Sequence, residues 1–209
     1  MKYTDMTVKE FQKAIAASSP TPGGGTASAI SHGHAASLAL MVCRLTEGKD
    51  RWIDGWEIAN RVEKFAGPLL EHSSDLAQQD SEAFEKVMAC FKLPKTTDEE
   101  KITRKSAIEA ATLFAAEVPY QTAKSAVDLL NLLPDLARLG NANAVTDVGV
   151  AGLLASAAAK GALFNVEINL NSLPPEAGGY IRESLQVLKE ASRLYSRQVM
   201  DAVRDRMES

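Results

Sequence analysis

The sequence predicts an all-α fold, a single-domain helical bundle over residues 1–209 with kinked helices and Gly-rich loops. Three observations carry that prediction. Apolar residues recur with a helical period along most of the chain, no segment reads as a convincing strand, and Pro and Gly cut the helical runs at only a few places. The 209 residues include 32 Ala and only 6% aromatics, so core volume has to come from small side chains and Leu in closely packed helices.

Each element follows from local signals. Thr7 to Ala17 is a short amphipathic helix carrying Val8, Phe11 and Ile15, with Thr7 and Glu10 in capping-box spacing. Ser18 to Gly25 is a loop with two prolines and three consecutive glycines. The Ala- and Ser-rich run 26–46 is apolar nearly all round, as expected of a helix buried in the middle of a bundle. From Asp50 to about Phe91 the spacing of Ile58, Val62, Phe65, Leu69, Leu76, Phe84 and Val87 is helical, and Gly67-Pro68 should break or kink it. Leu93-Pro94-Lys95 leads to a second capping box, Thr97 with Glu100. The helix it opens should run to about Asn131 with a kink at Pro119, and Asp135 to Leu139 reads as a separate helical turn. Gly140-Asn141-Ala142-Asn143 is a second permissive loop, after which Thr146 or Asp147 would cap a helix from Val148 to about Leu170. Pro174-Pro175 stops that helix, and Glu176 to Met207 forms the last one. Small residues concentrate in 26–46 and 147–163, directly behind the two loops. These two helices are therefore expected to pack together at the centre, with both loops facing one pocket.

Charge and composition narrow the function. A net charge of −4 and no Lys/Arg cluster argue against a nucleic-acid partner. The N-terminal MKYTDMTVKEF has neither the basic start nor the apolar run of an export signal, and the apolar stretch Val148 to Ala159 is shorter than a bilayer span of roughly 18 residues. The expectation is a cytoplasmic protein with no membrane partner, in which Cys43 and Cys90 are core residues and not a disulfide.

Three stretches could carry chemistry. Gly23-Gly24-Gly25 at a helix start exposes free backbone N–H groups at the positive end of the helix dipole, suited to a carboxylate, phosphate or oxyanion. A tight entry loop needing positive backbone angles explains the same glycines equally well. Asn141 and Asn143 can each donate and accept, as the edge of a flat heterocycle requires, while Asp147 could simply be a first-turn acid. Asn165 and Asn169, four apart in an apolar run, need partners on another helix or a ligand. Asp80 falls in step with Phe84 and Val87 on the inward face, where desolvation should raise its pKa and suit it to proton transfer near neutrality. His32 and His34 are about 200° apart around a helix and cannot grip one ion, so no metal site is expected.

Taken together, Pro20-Thr21-Pro22-Gly23-Gly24-Gly25, Met41 to Thr46, Asp80-Ser81-Glu82-Ala83-Phe84, Phe91 to Lys95 and Gly140 to Asp147 resemble the cyclodeaminase/cyclohydrolase family. That family comprises the cyclodeaminase part of formiminotransferase-cyclodeaminase and free-standing methenyltetrahydrofolate cyclohydrolases. The resemblance covers nearly the whole chain. It implies an all-helical homodimer acting on a folate, with no metal or redox cofactor, and it aligns the family's proton-transfer acid with Asp80. It further implies that Thr21, Gly23, Gly24, Gly25 and the hydroxyl-bearing Thr26 hold an anionic or carbonyl part of the folate. Asn141, Asn143 and Asp147 would then read the pterin edge. Where this chain has Thr26 and Thr146 the family commonly has Ser, and the His32-Gly33-His34 segment is bulkier than usual. At 209 residues the chain leaves no room for a formiminotransferase domain, so hydrolysis of 5,10-methenyltetrahydrofolate to 10-formyltetrahydrofolate is expected ahead of cyclodeamination of the formimino compound. The reading from a different class is a non-catalytic folate- or partner-binding helical module, which would have no use for an ionisable Asp80.

Overall fold

The computed structural model describes residues 2–208, and these form seven α-helices and three short 3₁₀ turns with no strand among them. Helix α1 (Val8–Ile15) starts at the expected capping box, in which Thr7 accepts from the Glu10 N–H and Glu10 reaches back to the Thr7 N–H. Helix α2 spans Gly24–Thr46, so the last two glycines of the run belong to its first turn. Helices α3 (Trp56–Ala66) and α4 (Leu69–Phe91) are separated at Gly67-Pro68 as predicted. Helix α5 is Asp98–Leu139, α6 is Val145–Asn171 and α7 is Gly179–Glu208.

Two boundaries differ from expectation. Helix α5 passes through both Pro119 and Pro134, so Asp135 to Leu139 is its last turn and not a separate one. A proline inside a helix loses one backbone hydrogen bond and crowds the preceding turn, at about 3 kcal/mol. Here Leu129, Leu130, Leu133, Leu136 and Ala137 are fully buried on either side of Pro134, and the burial of several such side chains, each worth ~1.5–3 kcal/mol, outweighs the break. Helix α6 begins at Val145 behind the 3₁₀ turn Ala142–Ala144, which puts Thr146 and Asp147 inside its first turn. The capping side chain is Asn141, one element earlier, whose Oδ1 accepts the Asn143 N–H at 3.0 Å.

The most extensive contacts are α5 with α6 and α2 with α6. The shared core is built from Ala35, Ala36, Ala39, Leu40, Val42 and Cys43 of α2 against Val148, Ala151 and Ala155 of α6, with Leu129, Leu130 and Leu133 of α5 behind. Small residues let the backbones close up: a Cβ on Gly161 would sit 2.4 Å from Ser28 Oγ, and one on Gly152 would sit 2.6 Å from a methyl of Val199 on α7. Helix α6 with the turn before it, Ala142–Asn171, is long and apolar enough to cross a membrane, but 56% of its apolar window is buried inside the fold. The free thiol of Cys43 is buried, and burial pushes its pKa up to about 12.

The two central helices run antiparallel. Gly24, at the start of α2, lies against Asn165 in the last third of α6. At the other end, the Asn141 N–H donates to Thr46 Oγ1 at 3.0 Å and its Nδ2 donates to the Leu45 carbonyl at 2.9 Å. The 23 residues of α2 therefore separate the two loops by about 34 Å at ~1.5 Å per residue. The expectation that both loops face one pocket fails within a single chain. Pairing two helices fixes which residues are neighbours only once their relative direction is known, and composition is blind to direction.

Candidate active site

A cleft of about 290 Å³ opens at the N-terminus of α2. One wall is the Pro20 to Gly25 entry, the second is Asp80, Phe84 and Val87 of α4, and the third is Asn165, Ile168 and Asn169 of α6 with Ala115 of α5. The entry glycines are not there for positive angles: Gly23 is extended at φ −123° and ψ −157°, and the positive-φ glycines are Gly48 and Gly178. Close approach is the reason at Gly25. A Cβ built there would lie 2.1 Å from Asp80 Oδ1 and 2.7 Å from Oδ2, so the carboxylate rests directly on the backbone of the first turn of α2.

Asp80 is held by Thr26 through both its hydroxyl and its backbone. Thr26 Oγ1 donates to its Oδ2 at 3.0 Å, the Thr26 backbone N–H also points at it, and the Thr26 and Ser81 hydroxyls lie 2.9 Å apart in the buried layer behind. Both bonds and the helix dipole favour the ionised form. Burial works against them and is the larger effect, so the Asp80 carboxyl is pushed above the ordinary carboxylate range. None of the ion pairs among the described residues involves Asp80. A half-buried carboxyl with no cation of its own is matched electrostatically by a ligand that brings one, and an upward-shifted pKa makes it easier to protonate than an ordinary carboxylate.

The opposite wall supplies two side-chain amides. Asn165 Nδ2 donates to the Gly161 carbonyl at 2.9 Å and Asn169 Nδ2 donates to the Ala115 carbonyl at 2.8 Å, which commits one N–H of each amide and leaves each a second N–H and its Oδ1. Thr21, at the mouth, donates to Glu85 at 3.2 Å. Phe84 is 40% exposed and Ile168 64% exposed, giving the cleft two apolar surfaces against which a flat ring can lie. The periodicity that placed Asp80, Phe84 and Val87 on one face is kept, but that face looks into the cleft instead of the core.

Of the residues singled out in the sequence, Thr21, Gly23, Gly24, Gly25 and Asp80 line this one cleft, with Thr26 directly behind it. Asn141, Asn143 and Asp147 do not reach it within the chain. Asn141 is buried and its side chain is engaged through both amide atoms: Nδ2 on Leu45 and Oδ1 on Asn143 make it a clamp between the end of α2 and the start of α6. Asn143 is exposed and Asp147 half-buried at the far end. The two histidines diverge as well. His32 is fully buried with Nε2 2.9 Å from Ser125 Oγ and no partner for Nδ1, and burial, aided by His72, lowers its pKa to about 4; His34 is exposed. Asn165, Asn169, Ile168 and Ala115 are the cleft residues that sequence reasoning did not place there. The signal for the first two was their spacing of four within an apolar run, which showed a need for partners but not where those partners were.

Comparison with known proteins places the chain among related sequences and one solved fold. The profile of the formiminotransferase-cyclodeaminase family matches residues 7–179. The chain is 36% identical over 193 residues to a methenyltetrahydrofolate cyclohydrolase of Methylorubrum extorquens, covering 91% of this chain and 93% of that one. It is 31% identical over 172 residues to the formimidoyltransferase-cyclodeaminase of Rattus norvegicus, covering 81% of this chain but 31% of that longer protein. The crystal structure of formiminotetrahydrofolate cyclodeaminase from Thermotoga maritima superposes with a TM-score of 0.85 at 28% identity, over 97% of this chain and 98% of that one.

Proposed function

The chain belongs to the formiminotransferase-cyclodeaminase family, and from that premise we propose that it is a methenyltetrahydrofolate cyclohydrolase, converting 5,10-methenyltetrahydrofolate to 10-formyltetrahydrofolate in the cytoplasm as a homodimer. The observation that carries the reading is the Asp80 carboxyl seated on Gly25, raised in pKa and without a cation of its own, in a chain that matches a free-standing cyclohydrolase along nearly its whole length.

The substrate is an amidinium cation whose single carbon bridges two nitrogens. Asp80 supports each proton transfer its hydrolysis needs. As carboxylate it takes one proton from the water that attacks the bridging carbon, giving a tetrahedral adduct. As carboxylic acid it returns that proton to N5 while the carbon–N5 bond breaks. The remaining hydroxyl proton leaves to solvent as the formyl carbonyl forms on N10. The cationic substrate lowers the Asp80 pKa on binding, so the base is ionised when water attacks. The Gly24 and Gly25 N–H groups and Thr21 hold a carbonyl or anionic part of the folate, and Asn165 and Asn169 offer acceptors to the NH groups of its ring system. No metal or redox cofactor enters this sequence of steps.

The second reading is cyclodeamination of formiminotetrahydrofolate, favoured by the likeness to the Thermotoga maritima structure. It uses the same carbon: N10 attacks, and the acid protonates departing ammonia. One experiment separates the two. The purified protein is offered each substrate while methenyl absorbance and ammonia are followed together. Consumption of methenyltetrahydrofolate faster than in buffer, without ammonia from the formimino compound, is the expected result. Ammonia release with accumulation of the methenyl chromophore establishes the second reading, and neither change refutes both.

A further inference from the structure

Helix α5 passes through Pro119, and a proline has no N–H to donate. The carbonyl four residues back, that of Ala115, thereby loses its helical donor on the wall of the cleft. Ala115 is only 8% exposed, so water is a poor substitute, and a carbonyl left bare there would cost free energy. Asn169 of α6 supplies the missing donor, its Nδ2 standing 2.8 Å from the Ala115 oxygen. Because a carbonyl only accepts, this contact fixes which way round the amide lies. Asn165 has no such anchor. Its Nδ2 donates to Gly161, the carbonyl to which helical geometry already assigns the Asn165 N–H. Beneath Asn169 the two helices are held together, with Ala116 of α5 in one buried cluster with Val166 and Leu170 of α6.

We propose that Pro119 is a positioning residue for substrate selection: by freeing the Ala115 carbonyl it locks the Asn169 amide, which then accepts the N3–H and 4-oxo edge of a folate ring and rejects the reversed pattern of a 4-amino ring. The chemistry is complementary. On that edge a 2-amino-4-oxo ring is a lactam, with an N–H donor beside a carbonyl acceptor. A primary amide with one N–H committed keeps an acceptor and a donor side by side, which is the matching pair. Ile168, next to Asn169, and Phe84 across the cleft give the ring its apolar surfaces.

Locking the amide is what makes it selective. In a 4-amino ring N3 accepts and the 4-amino group donates, so donor and acceptor change places. A free Asn side chain meets either pattern by turning half a revolution about its last bond, a broad and roughly two-fold torsion. An amide held on Ala115 cannot turn without putting its own oxygen against the carbonyl and leaving both unpaired. The role of Pro119 rests on the cleft being a folate site, and it deepens that reading from a ring that is held to a ring edge that is chosen.

Calorimetric binding of folic acid and of aminopterin, its 4-amino analogue, tests the proposal on wild type, Asn169→Ala and Pro119→Ala. The two ligands differ only at this edge, so the ratio of their dissociation constants cancels any general loss of affinity. Wild type should favour folic acid, with a ratio at least about tenfold above that of Asn169→Ala. Pro119→Ala gives the Ala115 carbonyl a backbone donor again and places a better helix former in α5. It should unfold within a few degrees of wild type or above it, while its ratio falls most of the way to that of Asn169→Ala. In the Asn169→Ala background Pro119→Ala should change the ratio no further, because it acts through the amide alone. An unchanged ratio in folded Pro119→Ala, a Pro119→Ala chain that does not fold, a wild-type ratio equal to that of Asn169→Ala, or a wild type that binds neither ligand overturns the proposal. A wild type that discriminates as expected but leaves methenyltetrahydrofolate untouched refutes the cyclohydrolase reading alone, since the ratio needs no turnover. Turnover without discrimination does the reverse.

Discussion

Replacing Gly25 by Ala adds a single methyl group and isolates the contact on which the account depends. The new Cβ would stand 2.1 Å from Asp80 Oδ1 and 2.6 Å from its Cγ. Ordinary contact needs more than 3 Å, so the carboxylate has to withdraw by ~1 Å or more, and misplacement of a reacting group on that scale costs about 10²-fold in rate, or about 2.7 kcal/mol. Stability moves little in comparison. Ala is the better helix former by up to ~1 kcal/mol, which offsets part of the crowding because the displaced group is the end of a side chain and not backbone. The expected outcome is a variant whose thermal unfolding lies within a few degrees of wild type and whose kcat/KM for methenyltetrahydrofolate is down about a hundredfold. A folded Gly25→Ala protein with more than half the wild-type rate would refute the idea that the carboxylate works from its seat on α2.

Further outcomes follow from the same contacts. Thr26→Val removes the hydroxyl that favours ionised Asp80 and keeps the volume, so the acidic limb of the kcat/KM profile should move to higher pH; an unmoved limb detaches Thr26 from the titrating group. His32 has a folded pKa of about 4 against ~6.5 in the unfolded chain, so the unfolded state binds its proton first. Its contribution is complete above pH ~6.5 and is lost as pH falls towards 4, by about 3 kcal/mol over that window. Urea unfolding at pH 7 and pH 5 measures it, and His32→Gln should flatten the dependence. Asn141→Ala breaks the bonds to Leu45 and Asn143 and should cost about 2–3 kcal/mol in urea unfolding; a loss under 0.5 kcal/mol would show that water replaces the clamp.

Local chemistry was legible in the sequence. The two capping boxes at Thr7 and Thr97 and the break at Gly67-Pro68 depend on residues within one turn of each other, and the structure places them where the spacing does. Pro134 misled because its effect is decided by leucines buried against other helices. Gly25 carried a correct location with two competing reasons, and the deciding neighbour, Asp80, is 55 positions away in the chain. Asn141 read as a ligand residue because an amide that clamps two helix ends and one that reads a heterocycle edge use the same donor and acceptor. The antiparallel arrangement of α2 and α6, which parts the two loops, is a tertiary property that neither helix records alone.

The central claim is that Asp80 moves the protons of methenyltetrahydrofolate hydrolysis. Its most direct test is single-turnover loss of methenyl absorbance with wild type and Asp80→Asn at saturating enzyme and pH 7, alongside the folate affinity of each. The account predicts equal binding within a few-fold and a rate lower by about 10²–10⁴ in the variant. An Asp80→Asn rate within tenfold of wild type, with binding intact, would contradict it.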